Sequence, residues 1–239
     1  PLAFGTWAQE LVLPAKNAIP LPDHIDIHQA AMLAVNPATA WRLLHDFAPL
    51  QAGDWIAQNA ANSGVGRAVI QLARHLGLRT LNIVRRPELL DELFALGGDV
   101  VVTEETDLRR EARQLCGGAL PKLGLNAVGG ASALNIANAL APGSPHITFG
   151  AMARQPLKIP NGLLIFQNLS FQGFWLRRWK ETAPAAEIQS TYATLAELLH
   201  RGMFHTPVDR VFALPDLLAA LAAASQDKRP GKILLDLQK

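Results

Sequence analysis

A single cysteine, Cys116, stands among 239 residues, so the chain builds neither an internal disulfide nor a multi-cysteine zinc site. That count is compatible with a reducing compartment, and the cytoplasm is the expected location. Tyrosine is equally scarce, with Tyr192 alone, and aromatic residues make up only 6% of the chain. Neither sign of charge dominates. The net charge is +2 on 22 basic and 20 acidic residues, too small a surplus to mark a nucleic-acid surface, so no nucleic-acid partner is expected. Long hydrophobic runs are missing too. The longest uncharged stretch, Leu123 to Ala153, is broken by Asn126, Asn135, Asn138, Pro142, Pro145 and His146. A bilayer span takes ~20 mostly apolar residues, so no membrane partner is expected. No basic segment followed by an apolar core opens the chain. It starts at Pro1 inside what reads as extended, half-buried sequence, and the expectation is a trimmed piece of a longer protein, with a mitochondrial location left open.

What is present is ordinary globular composition, 49% hydrophobic and 18% charged, enough for a sizeable core. Trp7 to Leu13 reads as a short strand, followed by a loop punctuated at Pro14, Pro20 and Pro22. Ile27 to Phe47 carries a helical pattern with a break at Pro37, and Thr39 to Phe47 reads as one amphipathic helix. From Trp55 the grammar changes. Short apolar strands (55–58, 80–84, 100–103, 123–126, 146–149, 169–174) alternate with helices (65–76, 88–96, 108–115, 131–140), several of which stop at glycine. A long helix over 184–201, a strand over 208–212, a helix over 215–225 and a strand over 232–237 complete the chain. Alternation of this kind predicts the α/β class, a doubly wound parallel sheet of the dinucleotide-binding type.

The first strand–helix turn reads Gln58-Asn59-Ala60-Ala61-Asn62-Ser63-Gly64-Val65-Gly66. A pyrophosphate site needs a tight turn, close backbone approach and a helix N-terminus aimed at the phosphates, usually through G-x-G-x-x-G. Here Ala61 and Ser63 fill the first two glycine slots and Gly66 the third. Taken alone the signal is weak, and a plain glycine-containing helix entry is the competing reading. The second strand adds to it. It ends in Ile83-Val84-Arg85-Arg86, with two guanidiniums where NAD-binding folds place a carboxylate. Arginine pairs with phosphate bidentately, so the turn points to NADP(H) selection.

These strings, together with Asn36-Pro37-Ala38-Thr39-Ala40-Trp41, Asn126-Ala127-Val128-Gly129-Gly130, Phe149-Gly150-Ala151-Met152 and Gly173-Phe174-Trp175-Leu176, resemble the zinc-free branch of the medium-chain dehydrogenase/reductase superfamily. Within it they look most like the trans-2-enoyl thioester reductases of mitochondrial type. The resemblance runs from about Gly5 to Leu237. It implies a Rossmann domain over 36–205, with 1–35 the remnant of a GroES-like substrate domain and 206–239 a return segment completing that domain. It also implies an NADPH-dependent reductase of the 2,3 double bond of an acyl thioester, acting without metal and assembled as a homodimer through the 169–174 strand. Residue by residue, it places Asn36 against the cofactor, Asn62, Ser63, Gly64 and Val65 at the pyrophosphate, and Arg85 and Arg86 at the 2′-phosphate. Phe149, Gly150, Ala151 and Met152 line the nicotinamide side, Phe174, Trp175 and Leu176 form a strand end beside it, and Lys232 lies near the same cleft. The family's acid tyrosine belongs to an upstream region, and Tyr192 matches no such position, so no catalytic residue is assigned within this chain. A quinone or enone reductase of the same superfamily, and a non-catalytic NADP(H)-binding module, are the alternatives.

Other features have plainer readings. His24 and His28 lack the further ligands of a metal site, and Ser132 has no nucleophile elbow and reads as part of a helix cap after Gly129-Gly130. Trp41 reads as packing, and Cys116 as inert. Arg177, Arg178 and Lys180 form a basic cluster after the 169–174 strand, a solvated edge or a contact for the phosphates of coenzyme A.

Overall fold

A computed structural model describes residues 6–23, 25–226 and 229–238. The chain divides into two compact units, one made of residues 39–181 and the other of residues 1–38 with 182–239. Short helices α1 (Ile27–Met32) and α2 (Asn36–His45) come first, and α2 runs across the division.

The 39–181 unit is built on six parallel strands: β1 (Trp55–Gln58), β2 (Arg79–Val84), β3 (Val100–Thr103), β4 (Leu123–Asn126), β5 (Pro145–Thr148) and β6 (Ser170–Gly173). Their order in the sheet is β3-β2-β1-β4-β5-β6. The connecting helices are α3 (Gly64–His75), α4 (Leu90–Leu96), α5 (Leu108–Leu115), α6 (Gly130–Ala139) and α7 (Asn161–Ile165), and α8 (Leu176–Thr182) follows β6. β1 and β4 are buried at every residue, as expected of parallel strands covered on both faces. One core cluster packs Trp55, Ala57, Leu81 and Ile83 of the strands against Leu108 and Ala112 of α5 and Ile136 and Leu140 at α6. Another joins Val84 and Val101 to Ile70 of α3 and Leu89 and Leu93 at α4. Helix stops are set by left-handed glycines, Gly77 at φ +70° after α3 and Gly97 at φ +109° after α4, where a side chain would be strained.

The second unit carries α1, α9 (Ala185–His200), β7 (Val208–Ala213), α10 (Leu217–Ser225) and β8 (Lys232–Asp236), with β7 and β8 forming a separate parallel pair. Gln29 of α1 donates to Thr206 O over 2.9 Å and accepts from Thr206 N over 2.9 Å, fixing the approach to β7. Tyr192 is fully buried on α9, and its hydroxyl donates to Ala34 O over 2.8 Å.

Some expectations are corrected. Trp7–Leu13 is not a strand: it runs as bends and irregular chain with Val12 fully exposed, and no strand among the described residues pairs with it. The helical break before α2 falls at residues 33–35 rather than at Pro37. Pro37 sits in the first turn of α2, where its missing N–H has no intrahelical partner to lose. The 169–174 strand shortens to β6, and Leu176 opens helix α8 instead of ending a strand. His24 lies outside the described residues, and His28 is exposed.

Candidate functional site along the C-terminal edge of the sheet

In an open parallel sheet the chain reverses its strand order at one point, and the crevice there is where ligands bind. In this sheet that point lies between β1 and β4. The turn leaving β1 is held by backbone hydrogen bonds on both sides, from Asn59 N to Leu125 O and from Ala61 N to Ile83 O, each over 3.2 Å. Ala60, at φ +46°, takes the left-handed conformation, one residue ahead of the slot expected for the first glycine. Ser63 caps α3, its Oγ accepting from Gly66 N over 3.1 Å. The first N–H groups of a helix have no partner within it and carry its positive dipole end, so Asn62, Ser63, Gly64 and Val65 stand where an anion is best received. Gly66 cannot be larger: a Cβ there would lie 2.5 Å from Ala61 O. The third glycine thus lets helix and turn touch.

Behind the turn is a polar network that the sequence reading did not foresee. Asn59 is 1% exposed and Asn126 is fully buried. Asn59 Nδ2 donates to Ser132 Oγ over 2.8 Å, and its Oδ1 accepts from Ala127 N over 2.7 Å. Asn126 Oδ1 accepts from Val128 N and Gly129 N, and its Nδ2 donates to Thr148 Oγ1. Ser132 in turn donates to Glu104 Oε1 over 2.8 Å. It therefore sits inside α6, whose N-cap is Gly129, and is a strut rather than a cap. The signal available in the sequence is the polar residue at the end of three neighbouring apolar strands: Gln58 closing β1 with Asn59 after it, Asn126 on β4 and Thr148 on β5.

The remaining candidates follow strand by strand. Beyond β2, Arg85 is exposed and Arg86 half-buried. Beyond β5, Phe149 N donates to Asn126 O and Met152 N to Ala127 O, each over 3.0 Å. Gly150 passes so close to the β4 exit that a Cβ would lie 2.8 Å from Ala127 O. Ala151 and Met152 are exposed. Beyond β6, Phe174 N donates to Thr148 O over 3.0 Å and its ring meets Phe47 edge-on at 5.7 Å. Trp175 is exposed, with the Arg177 guanidinium 5.6 Å from its ring centre, while Leu176 is buried. Arg177 also pairs with Glu181 over 2.8 Å on α8, and Trp179 receives Arg42 over its ring at 4.8 Å.

Along one edge of the sheet the sequence therefore reads Arg85-Arg86, the β1 turn, the Asn126 network, Phe149–Met152 and Phe174-Trp175. The strands that carry them, β2 to β6, span four inter-strand spacings, ~19 Å. Asn36, first residue of α2, and Lys232, first residue of β8, belong to the other unit, each half-buried. Among the described residues, no three histidine, cysteine, aspartate or glutamate side chains come together as a metal site. Nor is any helix of those residues long and apolar enough to cross a membrane.

A parallel sheet of this strand order, with a capped helix N-terminus and a glycine-tight turn at its reversal point, defines a dinucleotide-binding fold. The chain belongs to the zinc-binding dehydrogenase family, whose model matches residues 64–191, and thus to the medium-chain dehydrogenase/reductase superfamily. It is 42% identical over 239 residues to the human enoyl-[acyl-carrier-protein] reductase, mitochondrial, covering 98% of this chain and 64% of the relative. The chain thus spans less than two thirds of that relative's length. Among solved structures, the mitochondrial 2-enoyl thioester reductase Etr1p/Etr2p heterodimer from Candida tropicalis is 29% identical, with a TM-score of 0.79 over 90% of this chain and 63% of that one. The Etr1p complex with NADP and crotonyl-CoA is 30% identical, with a TM-score of 0.78 over 88% of this chain and 62% of that one.

Proposed function

We propose that this chain holds NADP(H) along the C-terminal edge of its sheet and belongs to an enzyme that reduces the 2,3 double bond of a trans-2-enoyl thioester. The observation that carries the reading is the order along that edge. Two arginines stand at one end, a helix N-terminus in the middle, and a glycine-cleared apolar segment with aromatic neighbours at the other. That order matches the parts of a phosphorylated dinucleotide laid out straight. Enoyl reductase relatives, and a similar structure in complex with NADP and crotonyl-CoA, support the same assignment.

The hydride chemistry is the cofactor's own. The chain's part is to bind and orient. Arg85 and Arg86 take the 2′-phosphate, and Asn62, Ser63, Gly64 and Val65 the pyrophosphate. Phe149, Gly150, Ala151 and Met152, with Phe174, Trp175 and Leu176, form the wall for the nicotinamide. Asn36 and Lys232 are assigned to the same cofactor on the resemblance. No proton donor is assigned here: the Tyr192 hydroxyl is buried and spent on Ala34 O. The segments before residue 36 and after residue 205, read as parts of a substrate domain, fall in one packing unit, which supports grouping them, although that unit also takes in residues 36–38 and 182–205. We also infer a homodimer through β6, an exposed edge strand whose unpaired backbone groups are a template for a second copy. The buried, solitary Cys116 suits a reducing compartment: the cytoplasm is the composition-based assignment, and the relatives' names point to the mitochondrion.

The test is a titration followed by turnover. Tighter binding of NADPH than NADH by this chain is the expected result, with NADPH consumption on crotonyl and longer enoyl thioesters, but not on quinones, appearing in a chain extended to its relatives' full length. Equal affinity for the two cofactors removes the phosphate assignment. Binding without turnover on any enoyl thioester, in a chain extended to its relatives' full length, favours a binding module instead.

A further inference from the structure

The Arg85-Arg86 turn is not free of acid. Pro87–Leu89 follows it as one turn of 3₁₀ helix with Arg86 as the residue that precedes it, and this turn folds Glu88 back on its neighbour. Glu88 Oε1 lies 3.6 Å from Arg86 Nη1, with the arginine side chain 24% exposed and the glutamate 56%. Arg86 is therefore the inner partner and Glu88 the outer. The contact is longer than an ordinary hydrogen bond, and at that distance the two groups hold one another as charges, so an incoming anion must compete with the carboxylate for the guanidinium. One helical turn on, Glu92 takes Arg67 Nη1 over 2.7 Å, so Arg86 and Arg67 are each held by a carboxylate of the same continuous helical stretch.

We propose that Glu88 is a specificity-determining residue, which by occupying Arg86 lowers the affinity for nucleotides bearing a 2′-phosphate. The inference rests on the NADP(H) reading above. A phosphate monoester is close to doubly charged at neutral pH and takes arginine through two parallel hydrogen bonds. To seat it on Arg86, the guanidinium must leave Glu88, and the carboxylate stays within a few ångströms of the incoming charge. A cofactor with a free 2′-hydroxyl makes no such demand. The two arginines alone would separate NADPH from NADH widely, and Glu88 narrows the gap. A looser grip also eases release of the oxidised cofactor, and product release limits many enzymes.

The experiment is calorimetric titration of the wild-type chain, Glu88→Gln, Arg86→Ala and the double variant with NADPH and with NADH. Glu88→Gln is expected to tighten NADPH about three- to fivefold, the scale of an exposed ion pair, and to leave NADH unchanged. In the Arg86→Ala background the gain should vanish. A wild type that prefers NADPH, combined with a Glu88→Gln variant that tightens both cofactors alike or neither, overturns the proposal and leaves the NADP(H) reading standing. So does a gain that survives without Arg86, since Glu88 then acts on the phosphate directly. A wild type with no preference for NADPH removes the NADP(H) reading, and this inference with it.

Discussion

The side-chain amide of Asn59, just past the end of β1, donates to the side-chain oxygen of Asn126, at the end of β4, over 2.9 Å. These strands flank the point where the strand order reverses, so one hydrogen bond spans the floor of the candidate cofactor crevice. Asn59→Ala is expected to leave Ala127 N and Ser132 Oγ short of a partner at a buried site. A buried unsatisfied group costs ~1–3 kcal/mol. Urea denaturation should show a loss of that order, and NADPH affinity should fall with it, because the β1 turn and the β4 exit lose their common anchor. Unchanged affinity at reduced stability would make the network purely structural.

Gly66→Ala places a methyl group 2.5 Å from Ala61 O, a backbone atom with little room to yield. The turn and the start of α3 must separate. Overpacking of this kind costs ~1–3 kcal/mol, and NADPH affinity is expected to drop by at least about tenfold as the phosphate cradle widens. Thermal melts and cofactor titration on the same preparation check both halves.

Arg85 and Arg86 carry the cofactor preference if charge-assisted hydrogen bonds to the 2′-phosphate contribute ~1.5–3 kcal/mol. Replacing both with alanine should weaken NADPH by about ten- to a hundredfold and leave NADH within about twofold. Equal losses for the two cofactors would show that the pair supports the fold of the β2 exit rather than reading the phosphate.

Cys116 is 2% exposed, and burial pushes its thiol from an ordinary 9.0 up to about 11. The folded state thus holds the thiol proton more tightly than the unfolded chain does. The resulting stability is complete below pH 9.0 and is lost as pH rises toward 11, an effect of ~2–3 kcal/mol. Denaturation between pH 8 and pH 11 should show this slope in the wild type and a shallower one in Cys116→Ala. Alkylation at pH 8 should be slow in the folded chain and fast in urea.

Tyr192→Phe removes the hydroxyl that serves Ala34 O and should cost ~1–2 kcal/mol. Because that hydroxyl is buried, any turnover measured with enoyl thioesters should be unchanged in kcat and in its pH profile. A fall in kcat with stability accounted for would place the proton donor on α9 after all.

Much of the sheet was legible because its strands are short apolar runs between helices that end at glycine. β1, β3 and β4 start and stop where the sequence places them. What was not legible has particular causes. The apolar run Leu11-Val12-Leu13 suggests a strand, but a strand needs a partner, and Val12 lies open to solvent. Leu176 reads as the end of the preceding strand, yet it opens α8, where Arg177 and Glu181 pair at helical spacing. At the site, Arg85, Arg86 and the β1 turn stand out by residue type. Glu88 does not, because its proximity to Arg86 arises from the 3₁₀ turn at Pro87. Asn59 and Glu104 follow β1 and β3 while Ser132 lies on α6, and only the fold brings the three together.

The pairing of β1 with β4 joins Ile56 to Leu123, whereas β1–β2, β2–β3, β4–β5 and β5–β6 each join segments roughly two dozen residues apart. Each half of the sheet can be assembled from neighbouring βαβ units, but the seam between the halves closes the longest loop and is entropically the most demanding. The crevice is that seam. If NADP(H) binds there as proposed, its affinity should appear only when the halves join, and dinucleotide fluorescence during refolding would time that union separately from the growth of either half. A ligand bound there acts as a clasp on the pairing of longest sequence separation, so it should protect β1 and β4 amides from exchange more than those of the outer strands β3 and β6.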